Sequence, residues 1–268
     1  MKLILAGSTG FIGAEVLRQC LTNPSITSLV ALSRRELPST FTDPDQKLKT
    51  MLVKDFEEYG ATVIKECEGA AGCIWYVHTT CSLPTFEANS ETTFLHQDLQ
   101  SKHRALGTAS LDIEIQKKVT LDYTVAAAEA FLPLTSISKD SEERESTPFR
   151  FIFTSGFISA RDQSKPLWFM AGPRRINGEA ENKLLDFTAE HKGAFDAFII
   201  RPAVVIASDG GVAWVAECLR APVVSVQRLA AVMIELALNG GQEKIWENRE
   251  LVSRGRELLK GQVKKRGG

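Results

Sequence analysis

The sequence predicts an α/β fold, a doubly wound parallel sheet with a small C-terminal lobe. Two observations carry that expectation. Short apolar runs alternate along the chain with segments of helical periodicity, and the first run passes directly into the glycine-rich turn GSTGFIG, which opens an amphipathic helix. The apolar runs are continuous rather than alternating, as strands covered on both faces must be.

The first strand spans Leu3 to Ala6, and the helix after the glycine turn repeats apolar residues at Ile12, Val16, Leu17, Cys20 and Leu21. Asn23 and Pro24 stop that helix. Ile26 to Leu32 reads as a second buried strand ending in Ser33, Arg34 and Arg35, which completes a βαβ unit. Further strands are expected at Leu48 to Val53, Ala71 to Val77, Phe149 to Phe153 and Ala197 to Ile200. Helical patterns at Phe56 to Cys67, Val119 to Phe131 and Gly178 to Thr188 separate them, and right-handed crossovers make the sheet doubly wound.

Two stretches break the rhythm. Thr85 to Lys118 is polar and charged and follows the fourth strand; it is read either as a lid or substrate wall or as simple solvated disorder. Ser136 to Thr147 is a charged loop rich in serine and glutamate. Residues 1–206 form the expected nucleotide-binding domain and 207–268 the smaller helical lobe, with helical patterns at Leu229 to Leu238 and Trp246 to Leu259. The chain shows no internal repeat.

Composition narrows the partners. The 32 basic side chains nearly balance 33 acidic ones, so no long-range field draws the chain to nucleic acid or to an anionic membrane, and a small molecule is the expected partner. The five cysteines, Cys20, Cys67, Cys73, Cys81 and Cys218, form no C-x-x-C pair and have no histidine at metal-ligand spacing, so no metal is expected. No apolar run reaches the roughly 18 residues of a membrane span. The first strand begins at Lys2 or Leu3, which leaves no room for a leader, and a cytoplasmic protein is the expectation. The oligomeric state is left open.

The glycine turn carries the first functional signal. A pyrophosphate requires backbone N–H groups, a helix N-terminus behind them and no side chain in the way. Gly7, Gly10 and Gly13 supply that approach with the backbone of Ser8, Thr9, Phe11 and Ile12, and the hydroxyls of Ser8 and Thr9 are candidate donors. The spacing G-x-x-G-x-x-G widens the first turn by one residue relative to the common G-x-G-x-x-G. At the tip of the second strand an NAD site would carry an acid; here Ser33, Arg34 and Arg35 offer guanidinium groups to a 2′-phosphate, which favours NADP(H). Asp55 and Phe56 are placed for the edge and face of an adenine, with a helix N-cap as the other reading of Asp55.

On these residues the chain resembles the short-chain dehydrogenase/reductase superfamily, and within it the atypical NmrA-like group. The resemblance spans Lys2 to Ile206 and rests on GSTGFIG, ALSRR, the Asp55-Phe56 pair, GCIWYVHTT at 72–80, FIFTSG at 151–156, NGEAENKLL at 177–185 and RPAVVI at 201–206. It implies a dinucleotide-binding Rossmann sheet, with Val77, His78 and Thr79 beside the nicotinamide and Pro202, Ala203 and Val204 on its other side.

The departure concerns the chemistry. Reductases of that superfamily protonate a carbonyl oxygen with a tyrosine assisted by a lysine four residues later. None of Tyr59, Tyr76 and Tyr123 has such a lysine. Aligning NGEAENKLL with the family's lysine stretch places Asn177 at the lysine and Pro173 at the tyrosine, while Ser155 or Thr154 fits the serine. His78 is then the candidate general acid, with turn capping or ribose packing as its other reading. Arg174 and Arg175 are candidates for binding an oxyanion or a carboxylate, or else a solvated helix start. Trp168, Phe169 and Met170 either wall an apolar or aromatic substrate pocket or plug a lobe interface. Three functions remain open: an NADP(H)-dependent oxidoreductase acting on a small, apolar or aromatic organic substrate, a non-redox isomerase, cyclase or dehydratase, and an NADP-sensing binding protein.

Overall fold

The computed structural model describes residues 1–37, 41, 43, 45–77, 113–137, 147–207 and 221–266. Its centre is a sheet of seven strands, all parallel: β1 (Lys2–Ala6), β2 (Ser28–Ser33), β3 (Leu48–Leu52), β4 (Ala70–Trp75), β5 (Phe149–Thr154), β6 (Phe195–Arg201) and β9 (Ile245–Glu247), in the order β3-β2-β1-β4-β5-β6-β9. The order reverses between β1 and β4, where open α/β sheets leave a crevice for ligands. Two three-residue strands, β7 (Val204–Ile206) and β8 (Val223–Ser225), pair beside this sheet.

Alternation along each strand divides the core. Leu3 and Leu5 of β1 face one side with α1 (Phe11–Thr22), α6 (Val226–Asn239) and α7 (Asn248–Arg266); Ile4 and Ala6 face the other. The second side holds α2 (Ala61–Cys67), α3 (Ile113–Lys117), a π-helical turn (Lys118–Asp122), α4 (Tyr123–Phe131) and α5 (Ala171–Glu190). Trp75, Phe131, Phe149, Phe151, Phe153 and Phe195 fill that layer, all but sealed from solvent. Each buried aromatic removes about 150–250 Å² from water, so this layer dominates the hydrophobic stabilisation.

The boundaries depart from the sequence expectation in specific places. The helix expected from Phe56 begins at Ala61, because Asp55 Oδ1 accepts from the Glu57 amide at 3.1 Å in a tight turn and Gly60 stands at the helix N-cap. The helix expected from Gly178 begins at Ala171, since Pro173 falls in its first turn, where the missing N–H has no partner to lose. α6 starts where Ser225 Oγ accepts from the Arg228 amide, and at its other end Arg150 of β5 donates to the Leu238 carbonyl at 2.8 Å.

Beyond the boundary expected at residue 206, α6 lies on the main sheet and β9 extends its edge, so these elements share the principal core. His78, Thr79, Cys81, Cys218, most of the 85–118 insertion and residues 138–146 of the charged loop lie outside the described residues. Among the described residues, no helix is long and apolar enough to cross a membrane.

Burial pushes the thiols of Cys20 and Cys67 up to about 12 and raises Cys73 well above the ordinary thiol range. The unfolded chain therefore releases these protons at lower pH than the native one. Stability should be fully present below about pH 9 and fall as pH climbs toward about 12, which thermal melts across that range would check. A native-state thiol reagent at pH 8 should leave these three residues unmodified until denaturant is added.

Candidate dinucleotide site and the network beneath it

The crevice is built first from β1. Gly7 has φ +86°, and a Cβ there would lie 1.7 Å from the Tyr76 carbonyl oxygen, so only glycine lets the chain turn against β4. A Cβ on Gly13 would meet the Gly7 carbonyl at 2.0 Å, which sets how closely α1 approaches the strand end. The Gly10 amide donates to Gly7 O at 3.0 Å, and the first bond within α1 runs from Ala14 to Gly10 O. The amides of Phe11, Ile12 and Gly13 precede that bond, and Gly10 offers no capping side chain. This is the arrangement that receives an anion.

The side chains of the loop sort differently from the expectation. Thr9 is exposed, whereas Ser8 is fully buried and its hydroxyl has no partner among the described residues. Ile12 packs into the core and contributes only its backbone; Phe11 stands half-exposed at the mouth. The ring of Tyr76, which the sequence reading passed over, closes on the loop, with its Cε1 3.5 Å from where a Gly10 Cβ would stand.

At the tip of β2, Ser33 is buried and its hydroxyl accepts from the Arg35 amide at 3.3 Å, while Arg34 and Arg35 extend into solvent. Asp55 lies past β3. The Glu57 amide, then Lys118 at 3.2 Å and Tyr123, hold its carboxyl below the usual range. Lys118 also pairs with Glu57 at 2.8 Å, and hydrogen bonds to Glu57 and Asp55 hold its ammonium above its ordinary value. Phe56 turns inward. It is 3% exposed and packs edge-on against Trp75 with ring centroids 5.6 Å apart, so its ring serves the core rather than an adenine face.

On the far side of the crevice, Pro202 is buried and its carbonyl accepts from the Phe157 amide at 3.2 Å. Asn248 Oδ1 accepts from the Ala203 amide at 2.9 Å, and Val204 is exposed. Val77 follows Tyr76 and is half-buried against the aromatic layer.

The candidate catalytic residues meet around the start of α5. Ser155 Oγ donates to Glu181 Oε1 at 2.5 Å and lies 2.8 Å from Ser159 Oγ. Because a carboxylate only accepts, the Ser155 proton points into the protein, and this hydroxyl is not free to protonate a substrate oxygen. Asn177 sits one helical turn before Glu181, its Nδ2 3.2 Å from where a Gly156 Cβ would stand and its Oδ1 shielded without a partner among the described residues. Arg174 donates to the carbonyls of Ile158 at 2.8 Å and Phe169 at 3.3 Å, and Arg175 to that of Lys165 at 3.3 Å. Both arginines brace the β5–α5 loop.

Glu181 was missed. It is wholly buried and pairs with Arg201 of β6, which also reaches Glu247 of β9 at 2.8 Å. Burial works against the Arg201 charge, yet the bonds to Glu181 and Glu247 outweigh it and hold the guanidinium above its ordinary range. The available signal was spacing: Pro173, Asn177 and Glu181 repeat every four residues on one helix face, and Glu181 is an acid on a face that must be buried.

No family model matches the sequence. A stretch of 75 residues is 32% identical to leucinostatins biosynthesis cluster protein T of Purpureocillium lilacinum, covering 28% of this chain and 27% of that one. Among solved structures, the PhqB reductase domain from Penicillium fellutanum superposes with a TM-score of 0.56 at 15% identity, over 92% of this chain and 66% of that chain. A Candida albicans protein in complex with NADPH gives 0.58 at 16% identity, over 92% and 78%. The fold is the parallel α/β sheet with flanking helices that these solved structures share. A dTDP-glucose 4,6-dehydratase from Streptomyces venezuelae with NAD bound shares this fold, with a TM-score of 0.56 at 13% identity over 98% and 81%.

Removing Glu181 should expose how much this network holds. Glu181→Ala leaves Arg201 half-paired in a sealed site and should cost about 3 kcal/mol in urea unfolding. Ser155→Ala should cost about 1.5 kcal/mol. A Glu181→Ala loss below about 1 kcal/mol would show that the pair does not hold α5 to the sheet.

Proposed function

We propose that this chain binds NADP(H) and acts as an oxidoreductase on a small organic substrate. The observation that carries the reading is the turn at Gly7, Gly10 and Gly13, whose backbone only glycine can follow at Gly7 and whose helix N-terminus is uncapped. The residues present fit the group. The amides of Phe11, Ile12 and Gly13 hold the pyrophosphate, Thr9 adds a hydroxyl, and Arg34 and Arg35 take the 2′-phosphate. Asp55 keeps acceptor capacity toward an adenine amino group. Val77 on one side and Pro202, Ala203 and Val204 on the other bound the nicotinamide end. The solved neighbours in complex with NADPH and with NAD support a nicotinamide dinucleotide, and the two arginines support the phosphorylated form.

Bound NADPH supplies a hydride. The chain's own task is to position the acceptor and manage one proton. The Ser155 hydroxyl is turned to Glu181 and Arg174 is bound to loop carbonyls, so His78 is assigned as the donor to the substrate oxygen, with Asn177 beside the site as a polar contact. A non-redox reading keeps the same pocket. What favours it is Pro173 and Asn177 at the tyrosine and lysine positions, which leaves a dinucleotide able to bind without an evident acid to complete a reduction.

NADPH fluorescence enhancement tests the cofactor. The Arg34→Ala/Arg35→Ala variant should bind NADPH about 10- to 100-fold more weakly while NADH affinity stays unchanged. Equal losses for both nucleotides would remove the 2′-phosphate assignment. If the oxidoreductase reading holds, His78→Ala should lower kcat for NADPH oxidation with a ketone panel about 100-fold, with NADPH affinity kept; binding without turnover in the parent chain would favour the non-redox reading.

A further inference from the structure

We propose that the loop between β5 and α5 is a preformed apolar wall that selects an uncharged aromatic or long aliphatic substrate; this rests on the oxidoreductase reading of the same crevice. The loop presents Phe157, Ile158, Trp168 and Phe169, which are 45%, 40%, 100% and 60% exposed. Single exposed apolar residues need no explanation, but four large ones on one loop beside a crevice do. Ile113 of α3, itself 44% exposed, continues the surface, since its Cδ1 lies 2.6 Å from where a Gly172 Cβ would stand.

The rings are not carried by a loose tip. Arg174 grips the carbonyls of Ile158 and Phe169, the two apolar ends of the loop, and the Ala160 amide donates to Arg174 O at 2.8 Å. Gln163 donates to Ala160 O at 2.8 Å, and Arg161 donates to Asn182 Oδ1 of α5 at 2.8 Å. Met170 takes a left-handed φ of +46° where the loop enters the helix, a conformation that persists only when its surroundings impose it.

Position and charge name the occupant. Phe157 is stitched to Pro202 at the end of β6, one residue after Gly156, so the wall continues the crevice at the carboxyl edge where ligands of such sheets lie. The cations of this loop already have partners: Arg174 is bound to backbone oxygens, Arg161 to Asn182 Oδ1, and Lys165 pairs with Asp162 at 3.5 Å, which leaves a substrate carboxylate no uncommitted charge beside the rings. A hexose could lay a C–H face on a ring, but its hydroxyls need polar side chains turned to the ligand, and Ser155, Ser159 and Arg174 are turned inward; an aryl or alkyl chain needs only the apolar area.

The test uses the full chain, with and without NADPH, titrated calorimetrically with acetophenone, 2-nonanone and glucose. Both ketones should bind and glucose should not. The Trp168→Ala/Phe169→Ala variant, altered only at exposed side chains, should bind the ketones about 10-fold more weakly with NADPH affinity within about twofold of the parent. Unchanged ketone affinity in the variant, or binding of glucose in preference to the ketones, would overturn the proposal. So would sedimentation showing that the parent is a dimer and the variant a monomer, because a second copy would then cover the wall. Loss of NADPH binding in the parent is read in its own titration and bears on the cofactor alone.

Discussion

The carboxyl edge of this molecule is organised by one buried ion pair, Glu181 with Arg201. A carboxylate with no solvent contact is tolerable only if its charge and lone pairs are answered inside the protein. Here Arg201 supplies the charge, and the Ser155 hydroxyl, at 2.5 Å, takes a remaining lone pair. Those three residues come from α5, β6 and the end of β5, and Glu247 adds β9. Every wall of the crevice on that side is therefore referenced to one charge. The orientation of α5 is what places Asn177, Pro173 and the two loop-bracing arginines, so the ion pair fixes the geometry of the candidate chemistry without touching a ligand.

The other side of the crevice depends on close backbone approach instead. Gly7 and Gly13 bring β1, the Tyr76 carbonyl and the start of α1 within distances that a single Cβ would prohibit. The two devices differ in what they tolerate. A charge network can be re-paired by a neighbouring acid, whereas a contact of 1.7 Å with a backbone oxygen leaves no alternative side chain. The candidate nucleotide end is thus set by the backbone and the opposite end of the crevice by side chains.

That difference also explains what the sequence made legible. The first βαβ unit could be read because its determinants are local: an apolar run, three glycines at fixed spacing and a helical period lie within about twenty residues of one another. The reversed order of strands followed from alternation and handedness. The strands at 204–206, 223–225 and 245–247 escaped, because three residues carry no period and pair only where the rest of the sheet offers an edge. Phe56 was read outward from its neighbour Asp55, but the aromatic layer of Trp75 and Tyr123 draws it inward. Glu181 escaped because the partner that makes its burial tolerable, Arg201, lies twenty positions later on another element.

The polar groups near the start of α5 share a direction. Ser155 gives its proton to Glu181, Ser159 donates to the Gly156 carbonyl at 2.7 Å, and Arg174 holds loop carbonyls. Each is turned toward the protein, while Phe157, Ile158, Trp168 and Phe169 are turned toward solvent. Such a division lacks the outward-facing donors and acceptors that the hydroxyls of a sugar require. It suits a ligand recognised by area rather than by hydrogen bonds, whose reacting atom is brought to the nicotinamide end by the fit of its apolar remainder. The polar side chains at the head of α5 are committed to structure, so under the proposed reading positioning falls to the apolar loop.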